Sequence, residues 1–257
     1  MKIPDRVVYV QELFNEIELI NEYKNRGKID IIDETLEGVP LVKFPGIPID
    51  ECLTIHDLAK KVLAISKNEN NNNEVAITYS LDHERLKEQN EPYMTIVKGD
   101  ETSTNVLGDT RTFHLLMATQ NVVIVNLHNH PSGSDFSVDD ITFFIKTESV
   151  KLMVLLPNDG GLFYLLKKDN YSKYNNLLAF AESVSEIKPE AFTDGKMDFS
   201  KLSYDEAVQV AKNYVIKSSA LGVDYRFVRC EKTIQNKKED SAKDIKEPVD
   251  DMEGNYE

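Results

Sequence analysis

The chain alternates between two hydrophobic periods. Period-two or continuously apolar runs fall at 74–82 ("EVAITYSLD"), 93–99 ("YMTIVKG") and 122–127 ("VVIVNL"). Each reads as a strand, the last as one buried on both sides, because β-branched residues fill it. "KLMVLL" (151–156) and "LFYLLKK" (162–168), joined by "PNDGG", predict a hairpin, and "DYRFVRC" (224–230) a further short strand.

Between these runs the spacing turns helical. Leu58, Val62 and Ile65 share a face in "TIHDLAKKVLAISK" (54–67), with Thr54 and Asp57 as candidate caps. In 109–120, Asp109 suits the cap, and Phe113, Leu116 and Met117 share a face. A helix beginning at Ser137 covers 137–149. Two more are predicted over 170–187 and 203–222, the second with Ser203 and Glu206 at capping-box spacing and Gly222 as its terminator. A further helix is expected at 10–25.

Strands interleaved with helices predict an α/β fold, a mixed β-sheet flanked by helices, with helical N- and C-terminal extensions. Residues 1–53 read as an N-terminal extension, 54–170 as the central domain and 171–236 as a mainly helical C-terminal region. From Lys237 to Glu257 more than half the residues are charged, which predicts a disordered acidic tail. No internal repeat is present.

Length and charge narrow the function. The 257 residues suffice for one substantial domain with extensions or for two small ones. No stretch reaches the roughly 20 apolar residues of a membrane span, and the N-terminus lacks the apolar core of a signal peptide, so a cytoplasmic protein is expected. Cys52 and Cys230 lie far apart, form no CxxC and read as reduced thiols. Acidic residues outnumber basic ones 44 to 30, a net charge of -14, which argues against strong direct binding of nucleic acid.

The chemistry concentrates in "VVIVNLHNHPSGSDFSVDD" (122–140). Side chains at i and i+2 of a strand point to the same side, so His128 and His130 can meet at one point. Zinc takes imidazole nitrogens at about 2.0–2.1 Å, and catalytic zinc sites commonly use three protein ligands. Pro131 and Gly133 turn the chain back, so that Asp140, one turn into the next helix, can supply the third. Ser137-x-x-Asp140 also has the spacing of a capping box, which alone would explain that pair. His56, His83 and His114 sit in ordinary helix or turn contexts.

"HNHPSG" followed by "SVDD" resembles the metal signature of the JAB/MPN (JAMM-type) metalloprotease superfamily, closest to its RadC-like branch. "NEVAITYSLD" and the segment from Val97 to Gly133 resemble that branch's first strand and the elements leading to its metal strand, so the resemblance spans about 70–170. It implies a JAB/MPN-like fold, related to the cytidine-deaminase-like architecture. It implies metal ligands at His128, His130 and Asp140, an oxyanion-stabilising serine at Ser137 and a general acid/base at Glu74, with Glu69 and Glu84 as rivals that open no apolar strand. The implied activity is zinc-dependent hydrolysis of a peptide or isopeptide bond, with a protein substrate carrying a ubiquitin-like modifier as the leading class. An accessory role in DNA repair or mobile elements and a non-catalytic interaction module stay open. The chain departs from the family in two respects. Five residues ("SGSDF") separate the proline from the serine where six are usual, which makes Asp139 a substitute for Asp140, and 1–60 shows no helix-hairpin-helix. A zinc deaminase is disfavoured because no Pro-Cys-x-x-Cys occurs.

Overall fold

The computed structural model describes residues 27–119, 121–193 and 196–229. The helix expected at 10–25, the tail from Lys237 and Cys230 lie outside the described residues. The core is a six-stranded mixed sheet. Its strands are β1 (Val75–Ser80), β2 (Met94–Lys98), β3 (Ile124–His130), β4 (Val150–Pro157), β5 (Leu162–Lys167) and β8 (Val223–Val228), in the order β2-β1-β3-β4-β5-β8. The two-residue strands β6 (Phe192–Thr193) and β7 (Lys196–Met197) form a separate ladder.

Helices cover both faces. A short α1 (Asp33–Glu37) leads to the long α2 (Ile49–Glu69), which buries Ile55, Leu58, Val62 and Leu63 against Ile77, Val125, Leu127 and Val154. On the opposite face lie α4 (Thr110–Ala118), α5 (Val138–Lys146), α6 (Lys173–Ile187) and α7 (Tyr204–Ser218). Their buried residues, among them Leu115, Ile141, Phe144, Phe180 and Tyr214, share one cluster with Ile124, Met153, Phe163 and Tyr225. α3 (His83–Glu88) follows β1. Among the described residues, no helix is long and apolar enough to cross a membrane.

Several boundaries differ from the expected ones for local reasons. α2 begins five residues before Thr54, behind Pro48 at its N-cap. The fixed φ of proline suits a helix start, and Asp50 and Glu51 place charge on the positive end of the helix. Thr54 instead bonds back to the Asp50 carbonyl from inside the helix. α4 is capped by Asp109 as anticipated, but it buries Leu115 and Leu116 and leaves Phe113 and Met117 exposed. His83 opens a helix rather than sitting in a turn. The capping boxes at Ser137/Asp140 and Ser203/Glu206 both form. Gly222 adopts φ +85°, and a Cβ there would run into the backbone of Asn170 and Tyr171.

β3 and β4 are parallel, whereas the other neighbours in this sheet are antiparallel. Parallel strands need a crossover, and α5 provides it. The start of α5 therefore sits beside the carboxyl end of β3, the usual place for a site in such sheets.

Candidate metal centre

Alternation along β3 sorts its residues. Val125 and Leu127 belong to the α2 face and Ile124 to the other, so Asn126, His128 and His130 share the face that α5 covers. β1 pairs antiparallel with β3, Ala76 opposite His128. Continuing that register by two residues sets Glu74 opposite His130, on the same face. The backbone of Glu74 is fixed on its other side, where its N–H donates to the Asp100 carbonyl (2.9 Å) and its carbonyl accepts from Gly99 (2.8 Å). Glu74, His128 and His130 thus converge, with one candidate ligand atom from each all within 4.8 Å of one another. The three residues lie close enough to hold a metal ion.

Asp140 approaches from above. Side chains on a helix lean toward its N-terminus, which at α5 means toward the end of β3. Asp140 Oδ1 lies 3.3 Å from His128 Nε2, and Oδ2 lies 3.4 Å from His130 Nε2. Asp139, one position earlier, is exposed and pairs with neither ring. Burial works against charge on His130, but the Asp140 carboxylate, helped by Glu74, outweighs it and raises the ring to about 9. Burial also opposes the Asp140 charge, yet His128 and then His130 hold its carboxyl well below the ordinary range.

The nitrogen chemistry suits a cation. His128 is 3% exposed, and its Nε2 makes no hydrogen bond despite the nearby carboxylate. A buried nitrogen left unsatisfied costs about 1–3 kcal/mol. Nδ1 of His130 lies 3.2 Å from the Ser134 carbonyl and 3.1 Å from the Ser134 hydroxyl. The bond aims Nε2 into the site, the orienting role that outer hydrogen bonds play around metals. Two imidazoles with carboxylates form a donor set of the kind that can hold a metal ion.

Ser137 is engaged in capping. Its Oγ donates to Asp140 Oδ2 at 2.7 Å and accepts from the Asp140 N–H at 3.1 Å, while its own N–H donates to Oδ2 at 2.8 Å. The carboxylate that faces the histidines is therefore the one that closes the helix N-terminus.

The short loop "SGSDF" closes through particular contacts. Gly133, at φ +70°, returns its N–H to the His130 carbonyl at 3.1 Å. Asp135 accepts from Tyr225 of β8 at 2.7 Å, which ties the loop to the far strand, and burial pushes its carboxyl up to about 6. Phe136 then drops into the core beside the His128 ring, with ring centroids 6.1 Å apart.

Between the histidines, Asn129 points to the opposite face and is fully buried. Its Oδ1 accepts from Val75, and its Nδ2 donates to Asn158 Oδ1 at 2.8 Å and lies within bonding distance of Ser66 Oγ and the Asn73 carbonyl. Asn158 extends the net to the Ile29 carbonyl (2.9 Å), and Ile29 donates to the Pro131 carbonyl (2.8 Å). Lys28 reaches Asn73 Oδ1 at 2.8 Å. A segment remote in sequence is thereby fastened to the turn after His130.

The centre opens on both sides. A cleft of about 520 Å³ is lined by Glu74, His130, Ser137 and Asp140 together with Lys28 and the hydroxyl-rich turns at Thr102–Thr104 and Ser132–Ser134. A hollow of about 230 Å³ lies over Ala76, Asn126 and Met153. The sequence reading missed Asn129 and the 101–104 loop. The signal available for the loop was a polar, small-residue stretch, "DETST", between a strand and a capped helix. No protein-family model, curated protein or solved structure matches this chain.

Proposed function

We propose that this protein is a zinc-dependent peptidase or isopeptidase with a JAB/MPN-like domain. The observation that carries this reading is the convergence of Glu74, His128, His130 and Asp140 from β1, β3 and α5 at the mouth of a cleft. In it, His128, His130 and Asp140 hold the metal and Glu74 is kept for proton work. Zinc in such a site supplies Lewis acidity toward a water and a scissile carbonyl. The Glu74 carboxylate takes the proton of the attacking water and returns it to the leaving amine nitrogen. The Ser137 hydroxyl, released from Asp140 Oδ2, donates to the developing oxyanion. Ser134 keeps the His130 ring in place throughout.

Elemental analysis of protein purified without chelator tests the reading. About one zinc per chain is expected, lost in His128→Ala and in His130→Ala. Metal-free wild-type protein would overturn it. Glu74→Gln separates the two parts open to Glu74. A proton-shuttling residue leaves zinc bound and abolishes turnover, whereas a ligand takes the zinc with it.

A further inference from the structure

Two hollows meet at the proposed metal centre, and Glu74, Thr104, Asp139 and Asp140 border both. The larger is walled by the hydroxyls of Thr102, Ser103, Ser132 and Ser134. Beyond the residues it shares with the larger, the smaller, of about 230 Å³, is lined by Ala76, Val106, Leu107, Phe143 and Met153 together with Asn105, Asn126 and His128. Its position follows from the strand register. Ala76 pairs with His128 and is the next residue after Glu74 on that face, while Asn126 pairs with Met153. Ala76 lies directly across from His128, so the apolar floor begins beside the metal row.

Resting on the metallopeptidase reading, we propose that this hollow is a specificity pocket for one large apolar side chain, leucine, methionine or phenylalanine, on a residue flanking the scissile amide. The hydroxyl-lined cleft takes the polar continuation of the same extended chain. A closed apolar cavity of about 150 Å³ accommodates benzene, so 230 Å³ open at one end receives a branched aliphatic or phenyl group with its Cβ. Ala76 makes the space, since any larger residue at that strand position would project into it. Thr104 stands at the junction, its Oγ1 shielded from solvent and without a hydrogen-bond partner among the described residues.

The test is calorimetric titration of the zinc-loaded full chain with simple hydroxamates, which anchor on the metal and carry a single side chain. One series places the side chain on the acyl side and a second on the amine side. Leucine and phenylalanine hydroxamates of at least one series should bind roughly tenfold or more tightly than the glycine and aspartate ones. Ala76→Leu, which fills the pocket, should erase that ratio. So should Leu107→Glu, which charges a rim residue already 53% exposed and therefore leaves the core intact. Equal affinities across both series would overturn the pocket while the metal centre stands. Protein that binds zinc but no hydroxamate, or no zinc at all, would overturn the metallopeptidase reading and the pocket with it.

Discussion

Asn129 accepts the backbone N–H of Val75 through its side chain at 2.8 Å, so the residue between the two histidines also anchors the strand that carries Glu74. The zigzag of β3 therefore does two jobs at once. His128 and His130 face the cleft, while Asn129, pointing the other way, ties β1, α2 and the turn after β4 into one buried net.

Replacing Asn129 by alanine strands the Val75 N–H and the Asn158 amide in the interior. The expected loss is about 2 kcal/mol in chemical denaturation, with weaker zinc binding because Glu74 and the histidines lose their common support. Asn129→Asp should be worse than alanine, since a carboxylate can only accept and would face Asn158 Oδ1 and the Asn73 carbonyl. An aspartate variant as stable as wild type would show that the net is not built as described.

Asp140→Asn should weaken zinc binding strongly, and Asp139→Asn should leave it nearly unchanged. Consecutive helix residues diverge by about 100°, and only Asp140 reaches the two rings. Competition titration with a zinc-sensitive dye checks this. A larger affinity loss in the Asp139 variant would reverse the assignment.

At Ser137 two roles predict different magnitudes. A pure cap costs about 1 kcal/mol on replacement by alanine and leaves turnover intact. An oxyanion donor costs roughly 100-fold or more in kcat. Ser137→Asp, itself a good cap, should keep the stability that Ser137→Ala loses without restoring kcat. Recovery of both would reduce Ser137 to a helix cap.

Lys167 supplies a pH dependence unconnected with the cleft. Its ammonium is buried, donating to the Thr147 carbonyl at the C-terminal end of α5 and lying 4.9 Å from the Phe144 and Tyr171 ring centres. Burial, then repulsion from Lys173, lowers it from 10.5 to about 7. Between these values the unfolded chain holds a proton that the folded chain has released, so stability rises with pH across that window and levels off above it. The cost near pH 7 is on the order of 4 kcal/mol. Lys167→Met should be the more stable protein at pH 7, with its advantage shrinking toward pH 10. A pH-independent difference in melting temperature would refute this.

What could be read without coordinates was local. A β-branched run with two histidines in alternation, and Ser-x-x-Asp at a helix start, carry their geometry within a few residues, and the structure brings Glu74, His128, His130, Ser137 and Asp140 together. The start of α2 was less legible, because Pro48 and the acids behind it outweigh the more familiar cap at Thr54. Phe113 and Met117 looked like a core stripe, yet which face of α4 turns inward is decided by β2, where Thr112 donates to Thr95 at 2.7 Å. The seating of Glu74 opposite His130 depends on the register of strands some fifty residues apart, and the contact of Asp135 with Tyr225 joins a loop to a strand ninety residues on. No local pattern encodes either.

The fastening of Lys28 and Ile29 to Asn73, Asn158 and Pro131 sets the smallest piece of this chain worth expressing. A fragment cut at the first regular helix of the central domain keeps every strand of the large sheet and every residue of the metal centre. It nonetheless strips a donor from the Pro131 carbonyl and an acceptor from Asn158, beside the turn that follows His130. Excision should begin no later than Lys28. Shorter pieces would fold around a slack site and give misleadingly low metal affinities.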